Sequence, residues 1–129
     1  MRMALWIGSG IFVASACSSQ APEVQQELGH AVYITYCQSC HEAPGTGPRL
    51  IPAVLASRLT AVRLYLYNKQ QMPYNAGGIL SDEDYLNVTA WLLQRADLLG
   101  PNELLTVDNM DTISLTSPIE ETPRPSITP

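Results

Sequence analysis

The sequence predicts a small all-α domain, and three observations carry that reading. Apolar residues recur at three- and four-residue spacing in three stretches, the period of a helix with one buried face. No stretch shows the alternating apolar and polar pattern of a half-buried strand. The chain has 129 residues, enough for one domain rather than two.

The first helix is predicted from Pro22 or Glu23 to Gln38, and the second over Thr60–Lys69. The third begins after Ser81, whose hydroxyl can cap it with Asp84 three residues on, close to a capping box. Asp82, Glu83 and Asp84 sit where the helix dipole favours negative charge. Tyr85, Val88, Trp91 and Leu92 then form a stripe that must face something apolar. Gly100-Pro101 ends the pattern, because glycine suits the position after a helix and proline cannot continue one.

Outside these helices the chain changes character. Met3 to Ala16 carry no charge and follow Arg2. As a helix these 14 residues would span about 21 Å, short of a ~30 Å bilayer core. Residues 1–16 therefore read as a secretory signal. Val13-Ala14-Ser15-Ala16-Cys17 resembles a bacterial lipoprotein box, with Ala14 where leucine is commonest. Carried over, Cys17 is the lipidated first residue of the mature chain; the alternative is plain export with an unpaired thiol. Residues 17–27 are expected to be a lipid-anchored tether and 28–99 the folded domain. Residues 100–129 hold five acids against Arg124 and are rich in Pro, Thr and Ser. Such a composition buries little apolar surface, so a flexible tail is expected.

The net charge of −5 argues against a nucleic-acid partner, since binding phosphates takes clustered Lys and Arg. There is no Ser/His/Asp set, paired carboxylate site or phosphate loop to support an enzyme. The chemistry concentrates in Cys37-Gln38-Ser39-Cys40-His41. Two cysteines three apart at a helix end lie one turn apart on one side. They can form thioethers with the two vinyl groups of a haem, and the adjacent histidine then reaches the iron. Three rivals are weaker. A thioredoxin-like site needs a βαβ context. A zinc site needs four ligands, and only His30 and Cys17 could complete the set. A disulfide would close a very short loop and leave His41 without a role.

From this motif the sequence resembles the class I monohaem c-type cytochromes over Leu28–Leu99. Gly29 and Tyr33 precede the motif at the family's first-helix spacing, and Val88 and Trp91 match the partner positions on the last helix. Gly47-Pro48-Arg49-Leu50 is similar to the stretch that follows the family's haem motif. There the proline carbonyl accepts from the histidine Nδ1–H and the leucine packs on the haem face, roles that fall to Pro48 and Leu50. Met72-Pro73 resembles the sixth-ligand motif. The resemblance implies a small cytochrome c fold with three main helices around one covalent haem c, bound by Cys37 and Cys40 and ligated by His41 and Met72. A neutral thioether opposite imidazole favours ferrous iron and a high potential. His30 is expected at the surface or between helices. Tyr65, Tyr67, Tyr74 and Asn75 are candidates to bond the Met72 sulfur or the haem propionates. Arg49, Arg58 and Arg63 are candidates to neutralise those propionates.

With both axial positions taken, one-electron transfer is favoured over haem catalysis. The expected protein is a membrane-tethered carrier on the periplasmic face of a bacterial membrane, with redox proteins as donor and acceptor. The stretch from Met72 through Gly77-Gly78-Ile79-Leu80 to Trp91-Leu92 resembles cytochromes serving periplasmic alcohol or sulfur-compound dehydrogenases. A fixed subunit of such a complex is the first alternative. A haem-based gas sensor or peroxidase is the second.

Overall fold

The structure is a computed structural model, and it describes residues 20–116. The expected signal, Cys17 and residues 117–129 lie outside the described residues. Five helices follow in order: α1 (Pro22–Tyr36), α2 (Gln38–His41), α3 (Pro52–Ala56), α4 (Ala61–Gln71) and α5 (Asp82–Arg95). The described residues contain no β-strand, only an isolated bridge between Thr60 and Ser114. The all-α expectation holds. The three expected helices are α1, α4 and α5, while α2 and α3 are too short to show periodicity.

The starts of the helices follow from local chemistry. Pro22 opens α1, where its missing N–H costs nothing. The Thr60 hydroxyl accepts from the Arg63 amide at 3.4 Å, and the Ser81 hydroxyl accepts from the Asp84 amide at 3.0 Å. Ser81 Oγ also donates to the Asp84 carboxylate at 2.8 Å.

α1 and α5 cross closely, and the crossing rests on Gly29. A Cβ at this position would collide with the Asn87 carbonyl and the Trp91 Cβ. Tyr33, one turn on, packs at a tilt against Trp91 with ring centroids 4.4 Å apart. Arg95 covers both rings, and it pairs at 3.1 Å with Glu42, which also accepts from the Tyr33 hydroxyl at 3.0 Å. One turn of α5 is thereby tied to the segment just after the cysteine motif.

Two expectations about the domain ends fail. The tether does not extend to residue 27: α1 begins at Pro22, and Gln25 is buried. A flexible tail does not begin at Gly100 either. Residues 104–115 form a strap across the core, with Leu105, Met110 and Leu115 fully or almost fully buried. The reason is visible in the hydrogen bonds. The Gln25 side chain donates to the Leu105 carbonyl at 2.8 Å and accepts from its amide at 2.9 Å. The Ala61 and Val62 amides, which lack partners within α4, donate to the Ile113 and Met110 carbonyls at 3.0 and 2.9 Å. The Leu115 amide closes the strap on the Leu59 carbonyl. Overall composition hid three apolar residues spaced five apart.

A candidate haem site

One cavity of about 420 Å³ lies between α2, α3, the end of α4 and α5. That size falls within the range of cofactor clefts. Its wall is mostly apolar and includes Cys37, Cys40, His41, Pro48, Leu50 and Met72. All six residues singled out around the motif and the methionine loop therefore share one surface.

The motif is held from below by α1. The Cys37 amide continues that helix by donating to the Tyr33 carbonyl at 2.9 Å. The Cys40 and His41 amides then both donate to the Cys37 carbonyl, making one tight turn. The thiols are not joined to each other. Burial, and then the neighbouring Cys40, push the Cys37 thiol up to about 11. It is a neutral thiol at physiological pH rather than the activated thiolate of a redox exchanger.

His41 is buried, and its Nδ1 lies 2.7 Å from the Pro48 carbonyl oxygen. A carbonyl only accepts, so Nδ1 carries the proton, and in the neutral ring the lone pair is on Nε2. That is the form of imidazole that ligates a metal. Gly47 makes the approach possible: its amide donates to the Cys40 carbonyl at 2.8 Å, and a Cβ there would press on the imidazole at 3.2 Å.

Met72 enters the wall from the far side, at the C-terminal end of α4. A closed circuit of hydrogen bonds fixes its backbone. The Met72 amide donates to the Asn68 carbonyl at 2.9 Å. The Asn68 side chain donates to Thr89 at 3.1 Å, and Thr89 donates to the Tyr85 carbonyl at 2.7 Å. The Tyr85 hydroxyl returns to the Met72 carbonyl at 2.8 Å and accepts from the Gly78 amide at 2.9 Å.

The α5 stripe divides between two tasks. Tyr85, Val88 and Leu92 line the cavity, whereas Trp91 faces α1. The sequence reading found the stripe but not this division. It also missed Leu55 and Asn68, both buried on the cavity wall. Their signal was weak, because α3 has a single turn and Asn68 looks polar. Of the proposed tyrosine cluster, Tyr67 and Tyr74 line the cavity, whereas Tyr65 and Asn75 do not. Of the three arginines only Arg58 reaches the wall, with its guanidinium 3.5 Å above the Tyr67 ring. His30 is exposed, stacks on Trp91 at 5.1 Å and is absent from the wall.

The donor set fits a haem. An apolar slot suits the macrocycle, and two thiols, an imidazole oriented by Pro48 and a soft thioether line its wall. A rival cluster of His, Cys, Asp and Glu able to hold a metal ion is not found among the described residues. Comparison with curated proteins and with solved structures gave no match. The family model described as cytochrome c oxidase, cbb3-type, subunit III, matches residues 24–92, more than half of the chain. The match runs from within α1 through most of α5 and covers every cavity residue named above, and on it the chain belongs to this family of c-type cytochrome domains, which carry covalently bound haem c.

Proposed function

We propose that this chain is an exported, membrane-tethered monohaem cytochrome that passes single electrons between redox proteins in an extracytoplasmic respiratory chain. The observation that carries the reading is the convergence of Cys37, Cys40, His41 and Met72 on one apolar wall, with His41 oriented by Pro48. In this reading Cys37 and Cys40 would hold the haem through thioethers, and His41 Nε2 and the Met72 sulfur would ligate its iron. The haem supplies the one-electron couple. The protein excludes water with Leu50, Leu55, Val88 and Leu92, and holds both ligands in place through redox change. The lipid on Cys17 confines the carrier to a membrane surface, and stable anchoring takes more than one acyl chain.

Acid–acetone treatment tests the attachment, since haem that passes into the solvent contradicts it. Met72→Ala tests the ligand set. It should abolish the weak far-red band of sulfur–iron ligation, lower the potential and admit CO, while His30→Ala does none of this. The reverse outcome means bis-histidine iron. Cys17→Ser should move the protein from the membrane to the soluble fraction with its spectrum unchanged.

A second reading is supported by the family description, which names a subunit of an oxidase. Here the domain is a fixed electron entry point in a larger oxidoreductase rather than a free shuttle. Purification from solubilised membranes separates the two: a stable stoichiometric complex favours the subunit, a lone monomer the shuttle.

A further inference from the structure

The outward side of α1 carries an apolar stripe that is left exposed. Val24, Leu28, Ala31 and Thr35 follow at four-, three- and four-residue spacing, so they share one side of the helix, and all four are exposed. Val24 is 46% and Leu28 42% exposed, and Ile34 beside them is 50% exposed. Thr35 presents its methyl rather than a free hydroxyl, because its Oγ1 donates to the Ala31 carbonyl at 2.8 Å. At ~1.5 Å per residue the stripe is about 16 Å long. The inner side of the same helix is occupied by α5 and the strap, through Gly29, Tyr33 and Gln25. Glu23 and Glu27 run along one flank of the stripe.

We propose that this stripe rests on a lipid bilayer, with α1 lying along the surface at headgroup level and the haem cavity, across α5, left open to water. The inference rests on the reading that Cys17 is lipidated. Distance argues for the bilayer as the occupant. Pro22, which opens α1, is five residues on from Cys17, a reach of about 17 Å at full extension. That is less than the breadth of a domain of this size, whose radius of gyration is about 13 Å. The start of α1 is therefore held at the lipid, and Val24 follows two residues later. So short a tether gives the stripe a high effective concentration at the surface, and a modest apolar area then suffices. No helix among the described residues is long and apolar enough to cross a membrane. A helix with one apolar side lies in the interface instead. Glu23 and Glu27 disfavour an anionic surface, so the lipid that fits is zwitterionic.

The test uses the haem-loaded, lipidated full chain on phosphatidylcholine vesicles, with the haem reduced. With Cys17 acylated and Cys37 and Cys40 joined to haem, an introduced cysteine is the one free thiol and takes a nitroxide label. Leu28→Cys places the label on the stripe, and Val24→Cys places it one turn earlier. Leu66→Cys, on α4 at a position 43% exposed, is the matched control. Power saturation reads collisions of the label with oxygen, which concentrates in lipid, and with a water-soluble nickel chelate. At Leu28→Cys and Val24→Cys the ratio of oxygen to nickel collisions should rise several-fold when the protein binds vesicles. At Leu66→Cys it should stay unchanged. Aqueous ratios at both stripe positions on vesicle-bound protein overturn the proposal and leave the lipid anchor standing. An equal rise at all three positions means contact without a preferred face and overturns it too. Spin–spin broadening that disappears on dilution with unlabelled protein means that a second copy covers the stripe, which also overturns it. A chain that does not bind vesicles at all refutes the lipidation reading, and the proposal with it.

Discussion

The two sides of α5 make an instructive pair. On one side, Gly29, Tyr33 and Trp91 lock α1 against α5, and the strap closes the core beneath them. These contacts are protein against protein. On the other side, Tyr85, Val88 and Leu92 face a cavity whose opposite wall is a single-turn helix, a four-residue helix and the Met72 loop. Those elements are too short to hold themselves, and hydrogen bonds together with a few core contacts, Leu55 above all, fix them. The crossing is thus made by protein contacts, whereas the opposite face of α5 is a wall of the cavity.

This contrast can be broken most severely at the strap. Ending the chain after Gly100 removes Leu105, Met110 and Leu115, each worth ~1.5–3 kcal/mol of burial, and strips the first amides of α4 of their acceptors. The loss should approach the whole stability of a small domain. Denaturant unfolding of this truncation should show no cooperative transition, while a chain ending at Thr116 keeps one. A wild-type midpoint in the shorter chain would mean that the strap is ornamental.

Gly29→Ala comes next. The added Cβ meets backbone, which cannot swing aside, so the helices must part. A cost of ~3 kcal/mol is expected, read as a lower urea midpoint with and without haem. If the cost appears only in the haem-loaded form, the crossing is not independent of the cofactor.

Tyr85→Phe addresses the wall. It keeps the ring and deletes the hydroxyl that joins Met72 to Gly78. About 1–1.5 kcal/mol of stability should go. The sharper readout is the far-red band of the proposed Met72 ligation, which should be lost at lower temperature than in wild type. Loss of stability with an unchanged band would make Tyr85 a packing residue only.

The smallest effect belongs to Glu42. The Tyr33 hydroxyl and then the Arg95 guanidinium hold its carboxyl below the ordinary carboxylate value. A depressed pKa contributes stability above that value and loses it as pH falls through the folded one. Glu42→Gln should therefore be slightly less stable than wild type at pH 7. The gap should narrow below pH 4, and a gap constant from pH 7 to pH 3 would show that charge is irrelevant there.

Much of this was legible in the sequence because it depends on local spacing. Two cysteines and a histidine within five residues must share one turn. Gly29 and Tyr33 one helical turn apart must face the same neighbour, and Met72-Pro73 must end α4 near the loop. What stayed hidden depends on distant partners. Leu105, Met110 and Leu115 read as tail because their burial comes from Gln25, α4 and Leu59, far away in the chain. Likewise Tyr85 looked like one more apolar stripe residue, and its hydroxyl gained a task only once Met72 and Gly78 came within reach.

The pairing of Gln25 with Leu105 spans 80 positions. A chain made from its amino terminus therefore forms α1 and exposes both thiols long before its core can close. At ~5–20 residues per second, the 75 residues between Cys40 and Leu115 take about 4–15 s to appear. During that interval the cysteine motif rides on a helix whose partner has not arrived. The strap is thus the last piece of the core to be made, and the Gln25 side chain and the first amides of α4 find their partners only when it is present.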